Sequence, residues 1–242
     1  MKQNMLDTYQ ISTATELIEG NPYVGRGIIC GMTPDGSHAV SAYFIMGRSA
    51  NSRNRVFVED GEDLMIRPFD ESKVEDPSLI IYYPLRMMPG RMIVTNGDQT
   101  DTIRDFRLKG SSFIEALRTR EFEPDGPNFT PRISSEFDFD NKEYSMSILK
   151  SGDPDGGSCS RYFFEYKMQP GLGHFIHTYE TDGSPIPTFL GEPDRVEIPA
   201  DIEELTDEIW EALDPDNKIS LYVRYVDLAD GTYESRIINK YM

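Results

Sequence analysis

The stretch from Tyr43 to Val58, YFIMGRSANSRNRVFV, sets three arginines, two serines and two asparagines behind a hydrophobic run, with no acid among them. The whole chain carries 42 acids against 24 bases, a formal charge of -18, so this is a local excess of cations in an anionic molecule. Repulsion among Arg48, Arg53 and Arg55 falls when they close on an anion, and phosphate is the usual small one. Ser49 and Asn51 stand between them as neutral groups for the same ligand. The alternative is three exposed arginines, each paired with a surface acid.

Four further segments carry candidate chemistry. In NPYVGRGIICG, residues 21–31, Arg26 lies between Gly25 and Gly27. Glycine permits close backbone approach, so Arg26 beside such a gap suits a polar ligand, while a surface turn entering a strand would look the same. In TNGDQTD, residues 95–101, short polar side chains follow a hydrophobic strand and precede a helix. Ligands favour such strand ends. Asn96 and Gln99 suit an amide or ring carbonyl, and Asp98 could accept a proton or orient a neighbour; a simple capping turn built on Asp98 or Thr100 is the competing reading. The segment EFEPDGPNFTPRIS, 121–134, has three prolines around Glu123, Asp125, Asn128 and Arg132. Proline orders a loop in advance, so its polar groups need less ordering on binding. Lys73 and Tyr82 are weaker candidates, a helper cation or a solvated lysine, and a pocket hydroxyl or a core tyrosine.

Other chemistries are poorly represented. No HExxH, clustered Cys/His set or EF-hand loop occurs, and no metal or cofactor is expected. The P-loop, dinucleotide and GxSxG signatures are missing too. His174 and His177 are three apart in an expected strand and so point to opposite faces. Two distant cysteines, Cys30 and Cys159, form neither a disulfide framework nor a CxxC site, which suits a reducing cytoplasm. The N-terminus has no secretion pattern, and no apolar run is long enough to span a bilayer. The negative charge argues against nucleic acid and anionic membrane as partners. A homo-oligomer stays open.

The elements that would position these groups are mostly strands. Expected strands cover 24–31, 38–46, 54–59, 78–83 and 91–95 in the first half, then 143–150, 160–168, 173–180, 218–227 and 233–239. Pro34, Asp35 and Gly36 predict a hairpin, and SLIIYY at 78–83 reads as an interior strand. Helices are expected over 99–108, closed by Gly110, from Ser112 with Glu115 as a capping box, and over 201–213 behind Asp201. Ile219, Leu221, Val223 and Tyr225 are expected on one face of their strand. Residues 181–216 hold twelve acids and one base. At 242 residues without a linker or repeat, one α+β domain is expected.

Taken in order, YVGRG (23–27), GRSANSRNR (47–55), DPSLIIYYPLR (76–86), IVTNGDQTDTI (93–103) and EPDGPNFTPRI (123–133) resemble the archaeal-type IMP cyclohydrolase family. The likeness is clearest over 21–134, with later blocks such as RYFFEYK and LDPDNKISLYVRY similar to longer bacterial relatives, so that an acidic extension would begin near 135. The resemblance implies a four-layer αββα, N-terminal-nucleophile-hydrolase-like sandwich without autoprocessing, and no cofactor. It implies reversible closure of 5-formamidoimidazole-4-carboxamide ribotide to IMP with loss of water. In that reading Tyr82, Arg26, Asp98 and Glu123 are the catalytic candidates. Arg48, Ser49, Asn51, Arg53, Arg55, Lys73, Asn96, Gln99, Asn128 and Arg132 are the substrate-binding ones, with the 5'-phosphate on Arg48, Arg53 and Arg55. A purine-ribotide binding protein without catalysis, a related amide or amidine hydrolase, and an interaction module are the alternatives.

Overall fold

Asp35 and Gly36 make the first hairpin: Asp35 Oδ1 accepts from the Ser37 amide at 3.0 Å and Gly36 takes φ +74°. The strands it joins, β1 (Arg26–Met32) and β2 (His38–Met46), pair antiparallel from Arg26↔Ile45 to Met32↔Ala39. The computed structural model describes residues 9–74 and 82–241, so most of the strand expected at 78–83 lies outside the described residues.

Two antiparallel sheets organise the chain. The first joins β1 and β2 to β10 (Leu172–His177), β11 (Asp194–Glu197), β12 (Lys218–Asp227) and β13 (Tyr233–Asn239), in the order β11-β10-β1-β2-β12-β13. The second runs in chain order through β3 (Val56–Asp60), β4 (Asp63–Arg67), β5 (Leu85–Met88), β6 (Arg91–Thr95), β7 (Arg132–Asp138), β8 (Glu143–Ser151) and β9 (Cys159–Lys167). Period-2 alternation sends Ile28, Tyr43, Ile45 and Ile176 of the first sheet into one cluster with Phe57, Ile66, Val94, Ile133 and Ile148 of the second. The opposite face of the first sheet, including Ile29, Phe44 and Val223, packs on α1 (Ala14–Ile18) and α5 (Ile202–Ala212). Ile93 and Leu149 of the second pack on α3 (Gln99–Leu108) and α4 (Phe113–Leu117). The fold is mixed α+β, two antiparallel sheets with few helices.

The helix ends follow local chemistry. Ser112 and Glu115 form the reciprocal capping box, Gly110 takes φ +82° just beyond α3, and Asp201 accepts from the Glu203 amide at the start of α5. Leu205 and Ile209 on α5 are fully enclosed, each worth roughly 2 kcal/mol of apolar transfer.

One face assignment is corrected. A register shift between Lys218 and Ser220 breaks the alternation of β12. Ile219 therefore packs in the core shared by both sheets, while Leu221, Val223 and Tyr225 face the α1 and α5 side. The short elements β4, β5, β11 and α1 offered too few periods to be legible in sequence.

His174 and His177 do occupy opposite faces of β10. His174 is 5% exposed, stacks on Tyr166 at 3.6 Å and has Tyr144 Oη 2.6 Å from its Nδ1. Burial, with Arg195 adding repulsion, pushes its pKa down to about 4. The unfolded chain therefore takes up this proton first, so the stabilising contribution is complete above about pH 6.5 and is lost as pH falls towards 4. Replacing His174 with phenylalanine is expected to flatten the fall in unfolding free energy between pH 6.5 and 5, read from urea denaturation, by up to about 1.4 kcal/mol per pH unit. An unchanged slope in that window would remove His174 as its source.

Candidate active site

Arg26 opens β1, two and four residues before Ile28 and Cys30, which face the core between the sheets. The same alternation carries Arg26 towards that core at its polar end. Arg55 stands just ahead of β3, two residues before the core residue Phe57. Both arginines are buried, 8% and 7% exposed, and the Nε of each is enclosed with no acceptor among the described residues. Buried donors are nearly always paired, and buried charges more so, so two such guanidiniums in one region are unusual.

Phenols and one carboxyl gather around them. Tyr82 is held by its carbonyl, which accepts from the Ile66 amide at 3.0 Å, and its hydroxyl lies 3.0 Å from Tyr43 Oη. Burial raises the Tyr82 pKa, while Arg55 and Arg26 pull the other way. Burial also raises the Glu123 carboxyl, against Arg26, Arg132 and Arg55. For Arg55, burial and the nearby Arg26 charge both lower the pKa. Burial opposes the Arg26 charge as well, but Tyr23, Glu123 and other neighbours outweigh it and the net shift is upward. The result is a cation-rich, water-poor region with an acid-capable phenol and one carboxyl, suited to stabilising an oxyanion and moving a proton.

A cavity of about 210 Å³ adjoins it. Arg26 forms part of its wall, with Tyr23, Arg48, Ser49, Ser52, Asn128, Thr130 and Tyr179 among the other lining residues. The 121–134 loop is braced by hydrogen bonds from its own side chains and to neighbouring segments. Asp125 accepts from the Thr130 amide at 2.6 Å and from the Thr130 hydroxyl, which in turn meets Tyr179 Oη at 2.6 Å. Asn128 Oδ1 accepts from the Ile186 amide at 3.3 Å.

The three arginines of the 43–58 stretch do not converge on one anion. Arg48 is exposed, pairs with Asp182 and lies over the Tyr23 ring. Arg53 donates to the Gly47 carbonyl at 3.0 Å and to Asn217 Oδ1 at 3.1 Å, away from the cavity wall. Arg55 turns inward. The cause is the single helical turn α2 (Ala50–Arg53), capped by Ser49 and followed at once by β3, which rotates successive side chains away from each other. Asn51 Oδ1 is buried without a partner among the described residues. Lys73 is exposed and pairs with Asp70 at 2.9 Å.

The 95–101 turn is inward-looking. Asn96 and Gln99 are almost wholly buried and bonded to protein: Asn96 Oδ1 accepts from Ile133 N at 2.9 Å and from Gln99 Nε2 at 3.0 Å. Gln99 Oε1 accepts from Arg132 Nη1 at 2.7 Å. Asp98 does not cap α3; it forms ion pairs with Arg120 and Arg132 at 2.5 and 2.7 Å. Burial raises its pKa, but the two arginines overcome this and lower it. This turn therefore aims Arg132.

Gly25 and Gly27 are also corrected: the close approach they allow is to protein. A Cβ at Gly25 would meet Thr178 Oγ1 and, at 2.6 Å, the Tyr179 ring, and its φ is +79°. A Cβ at Gly27 would enter the Phe44 and Phe175 rings. Gly25→Ala is expected to cost about 2–4 kcal/mol in urea unfolding, from left-handed backbone plus overpacking. A loss below about 0.5 kcal/mol would contradict that packing. Cys30 is fully buried, and burial pushes its thiol up to about 12, unsuited to nucleophilic work.

Among the described residues, no helix is long and apolar enough to cross a membrane. The family described as IMP cyclohydrolase-like protein matches residues 23–231, from Tyr23 beside the cavity to the β12–β13 turn. The chain belongs to that family. The match continues through the blocks beyond residue 134. Among similar proteins, the IMP cyclohydrolase of Methanopyrus kandleri is 29% identical over 181 residues, covering 69% of this chain and 89% of that protein. The IMP cyclohydrolase of Methanococcus aeolicus is 28% identical over 162 residues, covering 65% and 74%. That of Methanococcus maripaludis is 31% identical over 116 residues, covering 46% and 56%. Tyr43, Ser52, Thr130, Tyr179 and Asp182 escaped sequence reasoning. Tyr43 sat inside a hydrophobic run and Tyr179 at the end of a strand, where the only signal was a hydroxyl on an otherwise apolar segment.

Proposed function

We propose that this chain closes 5-formamidoimidazole-4-carboxamide ribotide to IMP with release of water, reversibly, as the last step of de novo purine synthesis. Membership of the family and the names of the relatives support the reaction. The observation that carries it to this site is the pair of buried guanidiniums, Arg26 and Arg55, beside Tyr82 and Glu123 and next to a polar cavity.

Ring closure asks for few things. The carboxamide nitrogen is a weak nucleophile and must be held against the formyl carbon. Negative charge grows on the formyl oxygen, and Arg26 and Arg55 meet it with Nε donors that have no acceptor among the described residues. That oxygen leaves as water, and Tyr82 supplies a proton to it. Glu123, with its raised pKa, takes a proton from nitrogen. Arg132, aimed by Asp98 and Gln99, braces Glu123 and the substrate amide, with Asn96 behind them and Asn128 at the rim. The 5'-phosphate displaces Asp182 from Arg48 and sits by Ser49. Arg53 holds that loop to Asn217, Asn51 stands behind Arg55, and Lys73 adds remote positive charge.

The arrangement of α1 and α5 outside one sheet, and of α3 and α4 outside the other, supports an αββα, N-terminal-nucleophile-hydrolase-like architecture. Incubating the purified protein with the formamido ribotide should produce purine-ring absorbance. IMP binding without that absorbance would demote the protein to a ribotide binder, and neither would remove the reading altogether.

A further inference from the structure

Two phenols sharing one hydrogen bond at the end of the core raise the question of which donates. Tyr43 projects from the middle of β2 into the core and is 1% exposed, its ring stacked on Phe57 at 5.5 Å. Its hydroxyl meets Tyr82 Oη at 3.0 Å, and no other hydrogen bond to either hydroxyl is present among the described residues. Each phenol has one proton to place. If Tyr82 donated, the Tyr43 proton would be left facing the apolar core and the arginines Arg26 and Arg55, none of which accepts, at the cost of an unmade buried hydrogen bond. If Tyr43 donates, the Tyr82 proton is left for the region where Arg26, Arg55 and Glu123 gather. Arginines only donate, and Glu123 is not bonded to it among the described residues, so the fold itself offers it no acceptor. A substrate oxygen would.

We propose that Tyr43 is a positioning residue, which donates its hydroxyl to Tyr82 Oη and so directs the Tyr82 proton at the departing formyl oxygen. The inference rests on the cyclohydrolase reading above. A bond forms from the carboxamide nitrogen to the formyl carbon. One proton from that nitrogen and the one on the formamide nitrogen both end on the formyl oxygen, its bond to carbon breaks, and it leaves as water. Tyr82 lends the proton that completes the leaving water and is reprotonated from substrate nitrogen. While it is a phenolate, the Tyr43 hydrogen bond and the two guanidiniums hold its charge. In agreement with this direction, burial raises both phenols, but the shared bond favours ionisation of Tyr82 and disfavours that of Tyr43.

The test is a cycle of Tyr43→Phe, Tyr82→Phe and the double variant, assayed with the formamido ribotide. Tyr43→Phe is expected to lower kcat about tenfold with KM within twofold, and to move the alkaline limb of the kcat profile to higher pH, because Tyr82 loses its donor. Adding Tyr43→Phe to Tyr82→Phe should cost nothing more. A merely structural tyrosine would lower activity equally in both backgrounds and leave the limb in place, and that result overturns the inference. So does wild-type kcat in Tyr43→Phe. Should the phenylalanine variant not fold, 3-fluorotyrosine at position 43 keeps the shape and strengthens the donor. It should shift the limb to lower pH, and an unmoved limb overturns the proposal. Wild-type turnover in the same assay separates the two ideas: its absence removes the cyclohydrolase reading and this inference together, whereas its presence with an unaffected Tyr43→Phe removes this inference alone.

Discussion

Arg26→Met is expected to lower kcat/KM for the formamido ribotide by about a thousandfold while leaving the melting temperature within about 4 °C of wild type. The first effect follows from removing a preorganised donor at the developing oxyanion, where one such group is commonly worth about 10²–10³ in rate. The desolvated setting of Arg26, 8% exposed and with no acceptor for its Nε among the described residues, places it at the upper end. The second effect is small because burial opposes the Arg26 charge while Tyr23, Glu123 and other neighbours favour it. Methionine fills much of the same volume and ends the repulsion on Arg55. Ending that repulsion and losing the attraction to Glu123 act in opposite directions, so the net change in stability stays within roughly 1 kcal/mol. A parallel steady-state and thermal-melt comparison decides it. Activity and melting temperature falling together would make Arg26 a structural residue.

Tyr82→Phe is expected to reduce kcat by about a hundredfold, the usual size of a lost general acid, with IMP affinity within a few-fold of wild type. The variant removes one hydroxyl from a side chain that stays in the hydrophobic cluster, so folding should change by no more than about 1 kcal/mol for the Tyr43 bond. The raised pKa of Tyr82 keeps its phenol protonated at neutral and mildly alkaline pH, so wild-type kcat should fall only at strongly alkaline pH. The phenylalanine variant should lack that limb. A rate within twofold of wild type would exclude Tyr82 from the chemistry.

Local chemistry and pattern were legible in the residues themselves. The Pro34–Gly36 hairpin, the Ser112–Glu115 capping box, the Gly110 stop and the strands 38–46, 91–95, 218–227 and 233–239 depend on near neighbours and on a period of two or 3.6, and appear where expected. So did the order of motifs that places the chain in its family. What the side chains of those motifs do was a tertiary decision. Arg48, Arg53 and Arg55 look equivalent in sequence, yet one helical turn followed by a strand sends them to an acidic loop, to a carbonyl cage and into the core. Asn96 and Gln99 look like ligand readers, but their amides are consumed by Pro131, Ile133 and Arg132 across the strand β7. Tyr43 and Tyr82 lie 39 residues apart, and only the packing of one sheet on the other brings their hydroxyls together.

Arg26 and Arg55, enclosed guanidiniums whose Nε atoms lack an acceptor among the described residues, hold a place for something negative inside an anionic molecule. Soaking the protein with IMP and finding the nucleotide bound elsewhere, with Arg26 and Arg55 untouched, would undo it. Sequence can name such residues because composition is local. Their burial and orphaned donors are set by contacts among distant strands, and so by the fold alone.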